Sequence, residues 1–170
     1  MRNIIITPKQ FIKIILKNKV SVYGFFLDQN KEFIMIIDEN DFVIDGYKLI
    51  RKKIIKSIVR EEYEVFYEKL HKINKTKLPS KKIEMDLGIL LSKFAKNGEI
   101  VGVENYIYKR MSFDLGIVQE IKKNSCTFVP ISALGNYQKA KKLTYKNIDI
   151  LSWGNRYAIT YKKYMDTINS

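Results

Sequence analysis

The chain resembles itself. Laid without a gap, "LIRKKIIKSIVREEYEVFYEKL" from Leu49 and "LTYKNIDILSWGNRYAITYKKY" from Leu143 pair Leu49 with Leu143, Ile54 with Ile148, Tyr63 with Tyr157 and Tyr67 with Tyr161. Upstream, "GFFLDQNKEFIMI" from Gly24 lies over "GIVQEIKKNSCTFV" from Gly116 at nearly the same separation. Such a repeat constrains the fold more than any composition figure does, because each copy has to be the same kind of supersecondary unit. Repeats at 1–75 and 76–170 follow, with "INKTKLPSKK" (73–82) as the linker-like stretch where they meet.

Each copy is expected to open with a helix. In "TPKQFIKIILKNK", Thr7 offers an N-cap, Pro8 suits the first helical position, and Phe11, Ile12, Ile15 and Leu16 recur at helical spacing. In the second copy Ser80 caps a helix with Ile83, Leu87, Leu90, Leu91 and Phe94 on one face, ending at Asn97-Gly98. Short strands then follow, near 20–27, 33–38, 47–52 and 54–59 in copy one, with a helix over 61–72 turning Tyr63, Phe66, Tyr67 and Leu70 inward. Copy two has strands near 100–108, 114–121, 126–131, 139–145 and 148–152. The expected class is α+β, mainly β: two tandem bent sheets closing into small barrels, each preceded by a helix. Within "DFVIDGYKLIRKKI" (41–54), Asp45-Gly46 predicts a tight reversal, after which Tyr47 and Arg51 emerge on the next strand.

A helix followed by a bent sheet with an internal glycine resembles the Sm-like and SH3-like small barrels. The "DGYKLIRKKIIKSI" stretch resembles a segment of uncharacterised bacterial proteins that carry two such barrels in tandem. RNA-binding Sm proteins follow the glycine strand with an Asp and an Asn that hold single-stranded bases. Here Asp28 and Asn30 follow Gly24 at a different spacing, and "IVQEIKKNS" after Gly116 has no aspartate. Copy two also lacks the DGY and has Lys139, Ala140 and Lys141 instead. The resemblance implies a binding fold without the standard Sm grip on RNA.

Composition bears on the partner. The chain has 170 residues and a formal charge of +13. That charge is spread: 16 basic and 10 acidic side chains over 1–78, four and three over 79–100, eleven and five over 101–170. An even coat keeps a protein soluble and repels like chains, whereas a stripe would point to phosphates. No apolar run is long enough for a bilayer, and Pro8, Lys9, Gln10 and Lys13 interrupt any signal core. With Cys126 the only cysteine, no internal disulfide forms, so a cytoplasmic setting is expected. On a strand, Cys126 reads as a small core residue.

Residues suited to bond-breaking are scarce. His71, the single histidine, sits among lysines in "KLHKINK" and reads as solvated. Asp38, Glu39, Asp41 and Asp45 lack the ligand spacing of a calcium loop and read as a polar connection. No glycine run cradles phosphate, and no metal or cofactor is expected. The chain reads as a non-enzyme.

Binding side chains remain. Arg51, Lys52 and Lys53 in copy one and Lys141 and Lys142 in copy two could meet an acidic surface or phosphates, or could guard sheet edges against strand pairing. Trp153 either seals a barrel end or anchors an interface, and Tyr47 completes the candidate set. By elimination the expected role is to occlude or neutralise a protein partner, as a toxin immunity protein does; the alternative is an Sm-like RNA-binding protein. A monomer or dimer is expected, with no membrane partner.

Overall fold

The computed structural model describes residues 6–79, 83–107 and 110–168. The chain divides into two compact units, Met1–Ile83 and Glu84–Ser170. Unit 1 contains β1 (Phe11–Leu16), β2 (Ser21–Gln29), β3 (Phe33–Asn40), β4 (Val43–Arg51), β5 (Ile55–Val59) and α1 (Glu62–Ile73). Its strands lie antiparallel in the order β5-β1-β2-β3-β4. A 3-10 turn, Lys52–Ile54, joins β4 to β5 and buries Ile54. Helix α1 packs on β1.

Unit 2 contains α2 (Leu87–Asn97), β6 (Ile100–Ile107), β7 (Arg110–Lys122), β8 (Ser125–Pro130), β9 (Lys141–Thr144), β10 (Ile150–Trp153) and α3 (Arg156–Ile168). Its order, β10-β6-β7-β8-β9, is that of unit 1 strand for strand. A 3-10 turn (Tyr145–Asn147) again precedes the last strand, and α3 packs on β6 as α1 does on β1. Among the described residues the fold is mainly β with three helices.

The register repeats as well. Gly24 faces Asp38 and Gly116 faces Pro130; the next pairs are Phe25 with Ile37 and Ile117 with Val129, then Phe26 with Ile36 and Val118 with Phe128. In both ladders the register slips after that third pair. A Cβ at Gly24 would lie 2.2 Å from the Ile37 carbonyl oxygen, and one at Gly116 2.4 Å from that of Val129. Each glycine therefore marks a place where two backbones approach too closely for any side chain.

Three expectations are corrected. Residues 7–19 do not form a helix. Their apolar set fits helical spacing, but Ile12, Ile14 and Leu16 also alternate, and in a strand flanked by β2 and β5 these three bury almost completely. Lys9, at φ 70°, closes a turn in which the Gln10 N–H donates to the Thr7 carbonyl, so Thr7 caps no helix. In unit 2 the helix does form, capped by Asp86, whose carboxylate accepts from the Ile89 N–H. It ends at Gly98 in the left-handed region; the expected cap Ser80 lies outside the described residues.

The reversal expected at Asp45-Gly46 falls instead at Asp41-Phe42. Both residues have positive φ, 52° and 62°, joining β3 to β4 by a two-residue loop. Gly46, at φ 81°, lies inside β4, in the stretch where its register with β3 slips. Helix α3 was not among the elements expected from the sequence, although the gapless overlay lays it on α1.

Cys126 lies on β8 opposite Leu143, and burial pushes its thiol up to about 11. Since the thiolate is the nucleophile, a thiol-specific disulfide reagent at pH 8 should leave the native chain unlabelled and label one thiol per chain in denaturant. Rapid labelling of the native chain would contradict this packing.

Candidate binding surface

In unit 1 the helix α1 turns a polar face inward. Glu64 and His71 are buried, whereas Tyr63 and Phe66, expected to point inward, are half exposed. Two carboxylates of this helix are hydrogen-bonded. Glu64 accepts from the Glu61 N–H in a capping box, and Glu68 accepts from the Phe11 amide, Arg60 and Lys72. His71, only 2% exposed, corrects the solvated reading. Its ring lies 5.0 Å from that of Phe25 and 5.8 Å from that of Phe11. Nδ1 is 3.0 Å from the Thr76 hydroxyl, and Nε2 is 3.5 Å from Glu39 Oε1. Position 71 follows Glu64 and Tyr67 at helical spacing, and that periodicity outweighs the flanking lysines.

The four clustered carboxylates of 38–45 do not act together. Asp38 pairs with Lys48 at 2.8 Å, burial still holding its carboxyl above the ordinary value. Glu39 faces His71 and also accepts from the Phe42 N–H, which helps hold the left-handed turn. Among the described residues no three His, Cys, Asp or Glu side chains gather as a metal site.

The residues singled out from the sequence disperse. Tyr47, on β4 opposite Ile37, packs against the Phe11, Phe25 and Ile37 cluster, and burial raises its phenol pKa. Arg51 ends β4, 2.9 Å from Glu32 and 4.4 Å above the Phe33 ring. Lys52 and Lys53 occupy the 3-10 turn, whereas Lys141 and Lys142 lie on β9. The two lysine pairs are therefore not equivalent. Lys141 pairs with Asp114 at 2.8 Å, and Lys142 is exposed beside Thr127 on a strand that, among the described residues, pairs with β8 alone. That is where lysines discourage unwanted strand addition. Trp153, 7% exposed, packs against Phe94 with ring centroids 5.4 Å apart, so it belongs to the core of unit 2.

What the structure brings together instead is aromatic. Tyr63 and Tyr67 stand one turn apart with ring centroids at 4.6 Å, as do Tyr157 and Tyr161 at 4.8 Å. A hydrogen bond with Tyr67 and partial burial push the Tyr63 phenol up to about 12. In unit 2 the Tyr157 hydroxyl donates to that of Tyr161, which donates to the Ala133 carbonyl. Around this pair Phe113, Tyr157 and Tyr164 are each half exposed and Leu134 is 78% exposed. Ala133, Leu134, Gly135, Thr160, Tyr161 and Tyr164 line a groove of about 370 Å3. The overlay of the two tyrosine pairs was the sequence signal for this surface. Period alone could not say which ring faces solvent. No family model, no curated protein and no solved structure matches the chain.

Proposed function

We propose that each unit is a small barrel of the Sm-like or SH3-like kind and that the chain is a non-catalytic binding protein that occludes a protein partner, the role a toxin immunity protein fills. The repeated order of five antiparallel strands, the 3-10 turn before the last strand and the paired glycines support the barrel reading. The observation that carries the function is the aromatic face of unit 2. Phe113, Tyr157 and Tyr164 with Leu134 place large apolar surface in water on one small unit. Exposed apolar groups gathered in this way mark interaction sites, and tyrosine is enriched among the residues that dominate interface energies.

The lysines give less support to RNA. Arg51 and Lys141 already face carboxylates, and Lys52, Lys53, Lys141 and Lys142 occupy non-equivalent elements. The test is a titration with single-stranded and structured RNA at several salt concentrations, beside capture of a protein partner by wild type and by Tyr164→Ala. A captured protein that survives 0.3 M salt and is lost from the variant is the expected result. Tight RNA binding that falls steeply with salt and is lost in Lys141→Glu/Lys142→Glu would replace this reading.

A further inference from the structure

We infer that the groove of unit 2 receives one bulky apolar side chain, leucine or aromatic, from an acidic segment of the protein partner; this rests on the binding role proposed above. Unit 1 supplies the template. There the equivalent tyrosine, Tyr67, is covered by the chain's own Phe42, stacked at 4.9 Å with an interplanar angle of 12°. Leu78, from the segment after α1, packs into the same cluster. Phe42 reaches that position from a left-handed turn, a conformation that costs a bulky residue free energy and persists only where its contacts offset the cost.

In unit 2 the connection between β8 and β9 approaches Tyr161 from the corresponding side, with Ala133 accepting the tyrosine's hydrogen bond. It brings no ring. Leu134 points into solvent, and Gly135, at φ 80°, lies so close to Tyr164 that a Cβ there would be 2.5 Å from the ring. The result is an open slot where unit 1 has a filled one.

The chemistry of the slot selects its occupant. The Thr160 hydroxyl donates to the Arg156 carbonyl and that of Tyr161 to Ala133, so two of the three hydroxyls in the lining are already engaged. A polar small molecule or a nucleobase would find few groups to orient it. The two segments that build the slot, 131–142 and 156–168, carry Lys139, Lys141, Lys142, Arg156, Lys162 and Lys163 against the single acid Asp166. Lys141 and Lys162 have carboxylate partners, Asp114 and Asp166. Lys139, Lys142 and Lys163 still leave these segments positive, which favours an acidic partner, and the +13 per chain opposes a second copy.

The test pans the full chain against a random 12-mer peptide display library, then measures the enriched peptide by fluorescence anisotropy. Enrichment of a leucine, phenylalanine or tryptophan among Asp and Glu is expected. Replacing that one apolar residue by alanine, or filling the slot with Thr160→Trp, should weaken binding at least about tenfold, and Leu134→Ala should weaken it by less. Phe66→Ala, on unit 1, should leave it unchanged. Thr160 and Leu134 are exposed, and circular dichroism checks that each variant folds. No enrichment, enrichment without acidic residues, or affinity indifferent to Thr160→Trp would overturn the inference. A peptide whose binding is lost in Phe66→Ala would refute the slot while leaving the protein-binding role standing. Tight binding of single-stranded RNA or of anionic phosphatidylglycerol vesicles, with no peptide selected, would remove both.

Discussion

Alanine at Gly24 and alanine at Gly116 should each destabilise their unit by about 3 kcal/mol, the upper range for overpacking. The new Cβ at Gly24 would sit 2.2 Å from the Ile37 carbonyl oxygen, with Ile36 Cδ1 at 3.0 Å. At Gly116 it would meet the Val129 oxygen at 2.4 Å and the Phe128 ring at 2.6 Å. A side chain could swing aside. A carbonyl in a strand ladder cannot move without loosening the pairing of β2 with β3, or of β7 with β8. Gly98 provides the control, because its added Cβ would have nothing within 4 Å and only its φ of 60° resists alanine, a cost of about 1 kcal/mol. Urea midpoints by circular dichroism should rank Gly98→Ala well above the other two. If Gly24→Ala and Gly116→Ala both unfolded within 0.5 kcal/mol of wild type, the shared close approach of strands would be wrong.

That equivalence was readable from the sequence because glycine positions and the repeated leucine, isoleucine and tyrosine pairs survive as identities. The strands near 33–38, 54–59 and 126–131 were readable for a related reason: short β-branched runs bounded by polar turns carry their own signal. The first helix was misread because Phe11–Leu16 satisfies both periods at once, and only the neighbours β2 and β5 decide between them. At 41–46 the competing signals were Asp-Gly and Asp-Phe. Local chemistry favours the glycine, yet the chain reverses at Phe42, where Glu39 accepts its N–H and Tyr67 receives its ring. The ring contact with Tyr67 is long-range and cannot be seen in a window of a few residues. His71 shows the same limit, since its burial depends on Phe11 and Phe25, far away in the chain. The exposed tyrosine face could be paired from sequence but not oriented, because an amphipathic helix with aromatics on two sides does not declare which side is wet.

Removing the Phe11 ring should cost unit 1 about 4 kcal/mol, more than any other single truncation in its aromatic cluster. Phe11 is fully buried and lies edge-on to Phe25 at 5.1 Å, stacked with Tyr67 at 5.6 Å and 5.8 Å from His71. Phe11→Ala would leave a cavity against the buried His71 ring, so the loss of packing would also admit water beside the imidazole. Phe11→Leu should recover roughly half of the lost stability, since it returns volume without the ring contacts. Phe66→Ala, one helical face away and half exposed, should stay within about 0.5 kcal/mol of wild type. The same experiment separates the two readings of residues 7–19. In a helix Phe11 would occupy the first turn and Ile12 and Ile15 would share its burden. On a strand Phe11 pairs with Phe25 and closes the end of the cluster under α1, so the loss is largest at Phe11. Equal, modest losses for alanine at Phe11, Ile12 and Ile15 would favour the helix, and a loss at Phe11 and Ile12 with a smaller one at the less buried Ile15 is what the sheet requires.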